Sequence, residues 1–258
     1  MVGLKQSMTI WGIIIGGAAG FAIGGPIGAL LGAAAGHVAG RGLKQALAPD
    51  QTRNVAFTVA VIALSAKMAR TDGIVTKSEI RAFRSRVHIP PKDIKQVAKF
   101  WDLARQTQDG FQSYAKQTVN LFGARAPILE QLLDLLFHIA KADGDITEPE
   151  WAYLGEVAEI FGYDEADFAR LSEIYGADNP PPHHILGVEK TASLKDVRAA
   201  WMRLAKEHHP DQLIAKGMPA EFIDNATDRL ARINRAYELM RADLTRADLT
   251  RNGQSSES

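Results

Sequence analysis

Apolar and polar positions divide this chain into three stretches of different character. From Ile10 to Ala35 every residue is apolar or glycine apart from Pro26, and no formally charged residue falls between Lys5 and Arg41. About 20 apolar residues cross a bilayer as a helix, so the stretch is long enough for one span. A hairpin broken at Gly24-Gly25-Pro26 is the alternative, with each arm too short to cross. From about 50 to 175, apolar residues recur at helical spacing, most clearly at Leu129, Leu132, Leu133, Leu136, Phe137 and Ala140. A third stretch follows Asn179-Pro180-Pro181-Pro182. There Val197, Ala200, Trp201, Leu204 and His208 share one side of a helix, and Lys195, Arg198, Arg203 and Lys206 share the opposite side. A second helix, from about Pro219 to Met240, carries Phe222, Ala226, Leu230, Ile233 and Tyr237 inward. The two are expected to pack antiparallel, with His209-Pro210-Asp211 at the exposed tip.

No run alternates with the two-residue period of a strand, so the pattern predicts an all-α protein. Its expected parts are a membrane segment over 1–48, a helical bundle over 50–176, a Pro-rich linker over 177–182, a helix-pair domain over 183–245 and a flexible tail over 246–258.

The glycines of the first segment are ordered. Gly16, Gly20, Gly24, Gly28, Gly32, Gly36 and Gly40 form an unbroken every-fourth-residue series. Small residues at this spacing let two membrane helices approach closely, so the series is expected to make a homodimer. A signal peptide would be shorter and more basic at its start, where Lys5 stands alone. Arg41, Lys44 and Arg53 follow the segment, which places its C-terminal side in the cytoplasm.

Composition narrows the chemistry. The 258 residues carry 30 basic and 30 acidic side chains, a balance that argues against nucleic acid as a partner. The absence of cysteine excludes disulfides, iron–sulfur clusters and thiolate zinc sites. No nucleophile–base constellation and no phosphate loop ending in Gly-Lys-Ser/Thr is present, so neither an enzyme nor a cofactor is expected.

Two segments of the bundle share the pattern Ala-x-x-Asp-Gly-x-x-Thr-x-x-Glu, at Ala69 to Glu79 and at Ala140 to Glu150. Glycine can end one helix in the left-handed conformation, Thr can cap the next, and Glu three residues on completes a capping box. The alternative reading is a metal site, with Asp72, Glu79, Asp143, Asp145 and Glu150 as oxygen ligands, although the spacing is not that of a calcium loop. Paired Asp-Gly corners in an all-helical stretch resemble the TerB fold, over roughly 50 to 175. Metal binding by some members of that family keeps the ligand reading open.

The third stretch resembles the J domain. Leu186-Gly187-Val188, the basic helix, His209-Pro210-Asp211 and Ile233-Asn234-Arg235-Ala236-Tyr237 fall in order at family spacing over about 182 to 243. Membrane segment, TerB-like middle and terminal J domain together resemble the DjlA family of membrane-anchored DnaJ-like proteins. That resemblance implies a co-chaperone whose partner is a DnaK-type chaperone, with the soluble domains on the cytoplasmic side of a bacterial inner membrane. His209, Pro210 and Asp211 would trigger the partner's ATP hydrolysis, and Arg198, Trp201, Arg203 and Lys206 would dock it. Trp201 stands where the family has Tyr, and Gln212 where it has Lys. The competing reading is an adaptor or metal/stress sensor acting through the TerB-like domain.

Overall fold

The computed structural model describes residues 49–70, 77–91, 93–105, 110–142, 144–177 and 179–254. The apolar segment, its glycine series from Gly16 to Gly40, Asp72 and Asp143 lie outside the described residues. Among the described residues every regular element is helical, and none of the helices is long and apolar enough to cross a membrane.

Seven helices form the first part: α1 (Pro49–Met68), α2 (Lys77–Arg86), α3 (Ile94–Ala104), α4 (Phe111–Phe122), α5 (Pro127–Ala140), α6 (Glu148–Ile160) and α7 (Glu165–Gly176). Helices α1 and α5 are central. From Ala56 to Ala69 α1 and the residue after it are buried throughout, and α5 is buried at every position from Ile128 to Ala140 except His138. A helix apolar all round can only be an interior helix, and the others wrap these two.

The helix ends follow local chemistry. Pro127 and Pro149 sit in first turns, where their missing N–H is not needed. Asp164 caps α7 by accepting from the Asp167 N–H at 2.9 Å. The corner at Thr147 is a full capping box: Glu150 Oε2 accepts from the Thr147 backbone N–H and from its hydroxyl, both at 2.8 Å. Each such cap contributes about 1 kcal/mol.

The second part comprises α8 (Pro182–Leu186), α9 (Leu194–Glu207), α10 (Pro210–Ala215), a 3₁₀ turn (Ala220–Phe222) and α11 (Ile223–Gln254). Ser193 caps α9, its hydroxyl oxygen 3.3 Å from the Asp196 N–H. Gly187 closes α8 at φ +65°, a conformation glycine adopts without strain. Helices α8 and α9 both pack on α11, and their core is Ile185, Leu186, Val197, Leu204, Ile233, Ala236, Tyr237 and Met240. Trp201 stacks on Tyr237 at 4.5 Å and donates to Asn234 Oδ1 at 2.8 Å.

Two features depart from the sequence pattern. Helix α11 continues to Gln254, through the stretch expected to be a flexible tail, because no glycine or proline interrupts it before Gly253. Phe222 and Ala226 do not join the core of the helix pair. They are buried with Leu213 and Met218 in the core of the seven-helix bundle.

Candidate functional site

The His-Pro-Asp tripeptide stands where α9 ends and α10 begins. His208 closes α9, and His209 caps α10, its Nδ1 accepting from the Asp211 N–H at 3.2 Å. Pro210 occupies the first turn of α10, where a locked φ suits the helix start. The Asp211 side chain is 83% exposed, and its carboxylate lies 3.8 Å from His209 Nδ1.

Helix α9 leads up to this corner with a cationic face. Lys195, Arg198, Met202 and Lys206 fall within about one quadrant of the helix at 100° per residue, and all four are exposed. Arg203 lies at the flank of this row and pairs with Glu207 at 3.0 Å. Trp201 is half-buried against α11, so its indole serves the packing of the helix pair. Arg198 and Lys206 are thus exposed on one face of α9, with Arg203 at its flank and Trp201 against α11, and the tripeptide follows at the end of that helix.

Behind the tripeptide is a buried polar seam that the sequence pattern did not indicate. His208 is 1% exposed. Gln131 Nε2 lies 3.2 Å from its Nδ1, and Glu130 Oε2 lies 3.6 Å from its Nε2. The Gln131 amide and the His208 ring share one hydrogen bond at Nδ1, whose donor depends on the ring tautomer. Glu130 Oε1 accepts from Arg229 Nη2 at 2.5 Å and from the Tyr175 hydroxyl at 2.9 Å. The Arg229 guanidinium also stands over the Tyr175 ring, 5.0 Å from its centroid. One turn further along α5, Asp134 pairs with Arg232 at 2.5 Å.

Burial sets the protonation states. It pushes the His208 imidazole down to about 4, against the pull of Glu130, so the ring is neutral at physiological pH. Burial also opposes ionisation of Glu130, but Arg229, His208 and the Tyr175 hydroxyl together hold its carboxyl below the ordinary value. The only sequence signal for this seam was the pair Glu130 and Asp134, four residues apart on a helix otherwise too apolar to face water. Buried carboxylates require partners.

Of the acidic-corner residues, Glu79, Asp145 and Glu150 are described. Glu79 and Glu150 are buried, Asp145 is exposed, and Glu150 Oε2 is engaged in the cap of α6. Among the described residues no group of three or more His, Asp or Glu side chains could hold a metal ion.

Three family models match the chain in order. Residues 8–46 match the co-chaperone DjlA transmembrane domain, 58–173 the tellurite resistance protein TerB, and 182–249 the DnaJ domain. Among curated relatives named co-chaperone protein DjlA, that of Photobacterium profundum is 28% identical, over 76% of this chain and 80% of its own. That of Vibrio cholerae is 27% identical, over 79% of this chain and 82% of its own. The Shewanella oneidensis protein is 25% identical, over 79% and 84%. No solved structure matches. With all three parts present in one order, and relatives of one name aligned across most of their lengths, the chain is a DjlA-like protein.

Proposed function

We propose that this chain is a membrane-anchored J-domain co-chaperone that recruits a DnaK-type chaperone and stimulates its ATP hydrolysis through His209, Pro210 and Asp211. The observation that carries the reading is an exposed His-Pro-Asp corner at the end of a cationic helix, inside the stretch that matches the DnaJ domain. The hydrolytic chemistry belongs to the partner; this chain supplies the surface that triggers it.

Each residue has a physical role in that reading. Pro210 fixes the backbone at the corner. Asp211 offers an exposed carboxylate for a charge-assisted hydrogen bond from a basic group on the partner. His209 is held by its bond to the Asp211 N–H, which leaves Nε2 for the partner. Lys195, Arg198 and Lys206 form the row that meets an acidic surface, raising the association rate and fixing orientation. High salt should therefore weaken recruitment before it affects the stimulated rate.

The match of residues 8–46 to the DjlA transmembrane domain supports anchoring, and the partner's need for ATP favours a cytoplasmic location for the other two domains. The glycine series supports self-association within the membrane. Gly24→Leu or Gly28→Leu should weaken it in a membrane association reporter; unchanged association would remove the dimer from this reading.

The decisive assay is single-turnover ATP hydrolysis by a DnaK-type chaperone, with the full-length chain in detergent or its His209→Gln variant. Stimulation by the first that disappears with the second is expected. Equal rates with both, or with neither added, would refute the reading.

A further inference from the structure

The tripeptide lies between two cores. The helix that precedes it, α9, belongs to the core shared with α8 and α11. The segment that follows belongs to the other core: Leu213, Met218, Phe222 and Ala226 are buried in the seven-helix bundle. Phe222 packs edge-on against Phe57 with ring centroids 5.1 Å apart. The His88 N–H donates to the Glu221 carbonyl at 3.1 Å. Gly217 comes so close to α1 that a Cβ there would lie 2.7 Å from that of Arg53.

At the junction itself stands His208, 1% exposed. It bonds to Gln131 of α5 at Nδ1, 3.2 Å away, and its Nε2 faces the Glu130 carboxylate at 3.6 Å. The next residue is His209. A side chain bonded at Nδ1 and buried around the rest of its ring restrains the backbone from which the tripeptide departs.

We propose that Gln131 and Glu130 of the TerB-like bundle are positioning residues for the tripeptide, acting through His208. The bundle then forms one half of the trigger, and stimulating power depends on the J domain being seated on α5. This inference rests on the reading of His209, Pro210 and Asp211 as the trigger. It assigns the bundle a direct part in that activity.

The full-length chain in detergent tests it, with Gln131→Leu and His208→Leu breaking the bond from either side. His208→Asn is the conservative variant, because its side-chain amide can donate or accept and so can bond to Gln131 in place of Nδ1. Two readouts are needed. The first is the stimulated ATPase rate as a function of co-chaperone concentration. The maximal rate should fall about five- to tenfold in both Leu variants, the factor that one buried hydrogen bond is worth. The concentration for half-maximal effect should stay within about twofold, because the row Lys195, Arg198 and Lys206 is untouched. His208→Asn should keep at least half of the maximal rate. The second readout is amide hydrogen exchange over Asp211 to Lys216, which should quicken in the Leu variants and not in His208→Asn.

Undiminished stimulation by both Leu variants would overturn the proposal, as would exchange identical to that of the unaltered chain. A uniform rise in half-maximal concentration with an unchanged maximum would also overturn it, since that marks lost recruitment and not lost positioning. If the unaltered chain gave no stimulation, the trigger reading would fall on its own. The exchange comparison would still decide whether α5 orders the tripeptide.

Discussion

The buried contact between Glu130 and Arg229 is the strongest single term that can be tested at the seam. Arg229 is 1% exposed and its guanidinium has one carboxylate partner, Glu130, at 2.5 Å. Two of its nitrogens, Nε and Nη1, are buried without a hydrogen-bond partner among the described residues, so no second acceptor there compensates for a lost one. Glu130→Gln keeps the shape and an oxygen for the Tyr175 hydroxyl but removes the charge. Stranding one member of a buried pair costs about 3–5 kcal/mol. For a chain of this size each kcal/mol moves the midpoint of thermal unfolding by about 2–4 °C, so a drop of roughly 10 °C is expected. Asp134→Asn supplies the contrast. Its partner Arg232 is 32% exposed and keeps access to water, so the loss should be only about 1–2 kcal/mol. The double replacement Glu130→Leu with Arg229→Met should recover most of the stability, because apolar pairs of similar volume replace buried ion pairs at little cost. Thermal and denaturant unfolding of the three variants beside the unaltered chain gives all these differences. A Glu130→Gln loss no larger than that of Asp134→Asn would refute the argument from burial.

Three further outcomes follow from the same geometry. His208 is neutral when folded, with its value near 4, whereas in the unfolded chain it titrates near 6.5. Its stabilising contribution is complete above pH 6.5 and is lost as pH falls toward 4. That amounts to about 3 kcal/mol, and a pH series of unfolding midpoints should show this slope flattened in His208→Asn. Gly217→Ala meets both a φ of +107° and a Cβ contact of 2.7 Å with Arg53, so it should destabilise by at least about 2 kcal/mol in denaturant unfolding. Thr147→Ala removes the hydroxyl from the capping box of α6 and should cost about 1 kcal/mol, with no change in the stimulated ATPase rate.

What was legible in the sequence was local. Thr147 with Glu150 acts within three residues and is found as a cap. The antiparallel pairing of α9 with α11 follows from apolar stripes at helical spacing, and Trp201 against Tyr237 realises it. The seam was not legible, because its partners lie far apart in the chain: Glu130 and Arg229 are separated by 99 positions, Asp134 and Arg232 by 98. A polar residue on a buried helix says that a partner exists, not which one. Helix α10 was missed for a related reason. Six residues are too few to show a period, and the burial of Leu213 belongs to the bundle.

The same separation explains why the tripeptide needs more than the helix pair. A corner between two helices is held by what lies under both arms. Under α9 lies the pair's own core, and under α10 lies the bundle. Between them stands His208. The bundle buries it, keeps its ring neutral and bonds it at Nδ1. An apolar contact could supply similar stability, but it would leave the ring free to rotate. Hydrogen bonds at Nδ1 and a carboxylate opposite Nε2 specify one orientation. Directional contacts are therefore concentrated at the residue nearest the exposed trigger. The apolar contacts, through Leu213, Met218 and Phe222, carry the burial further along the chain.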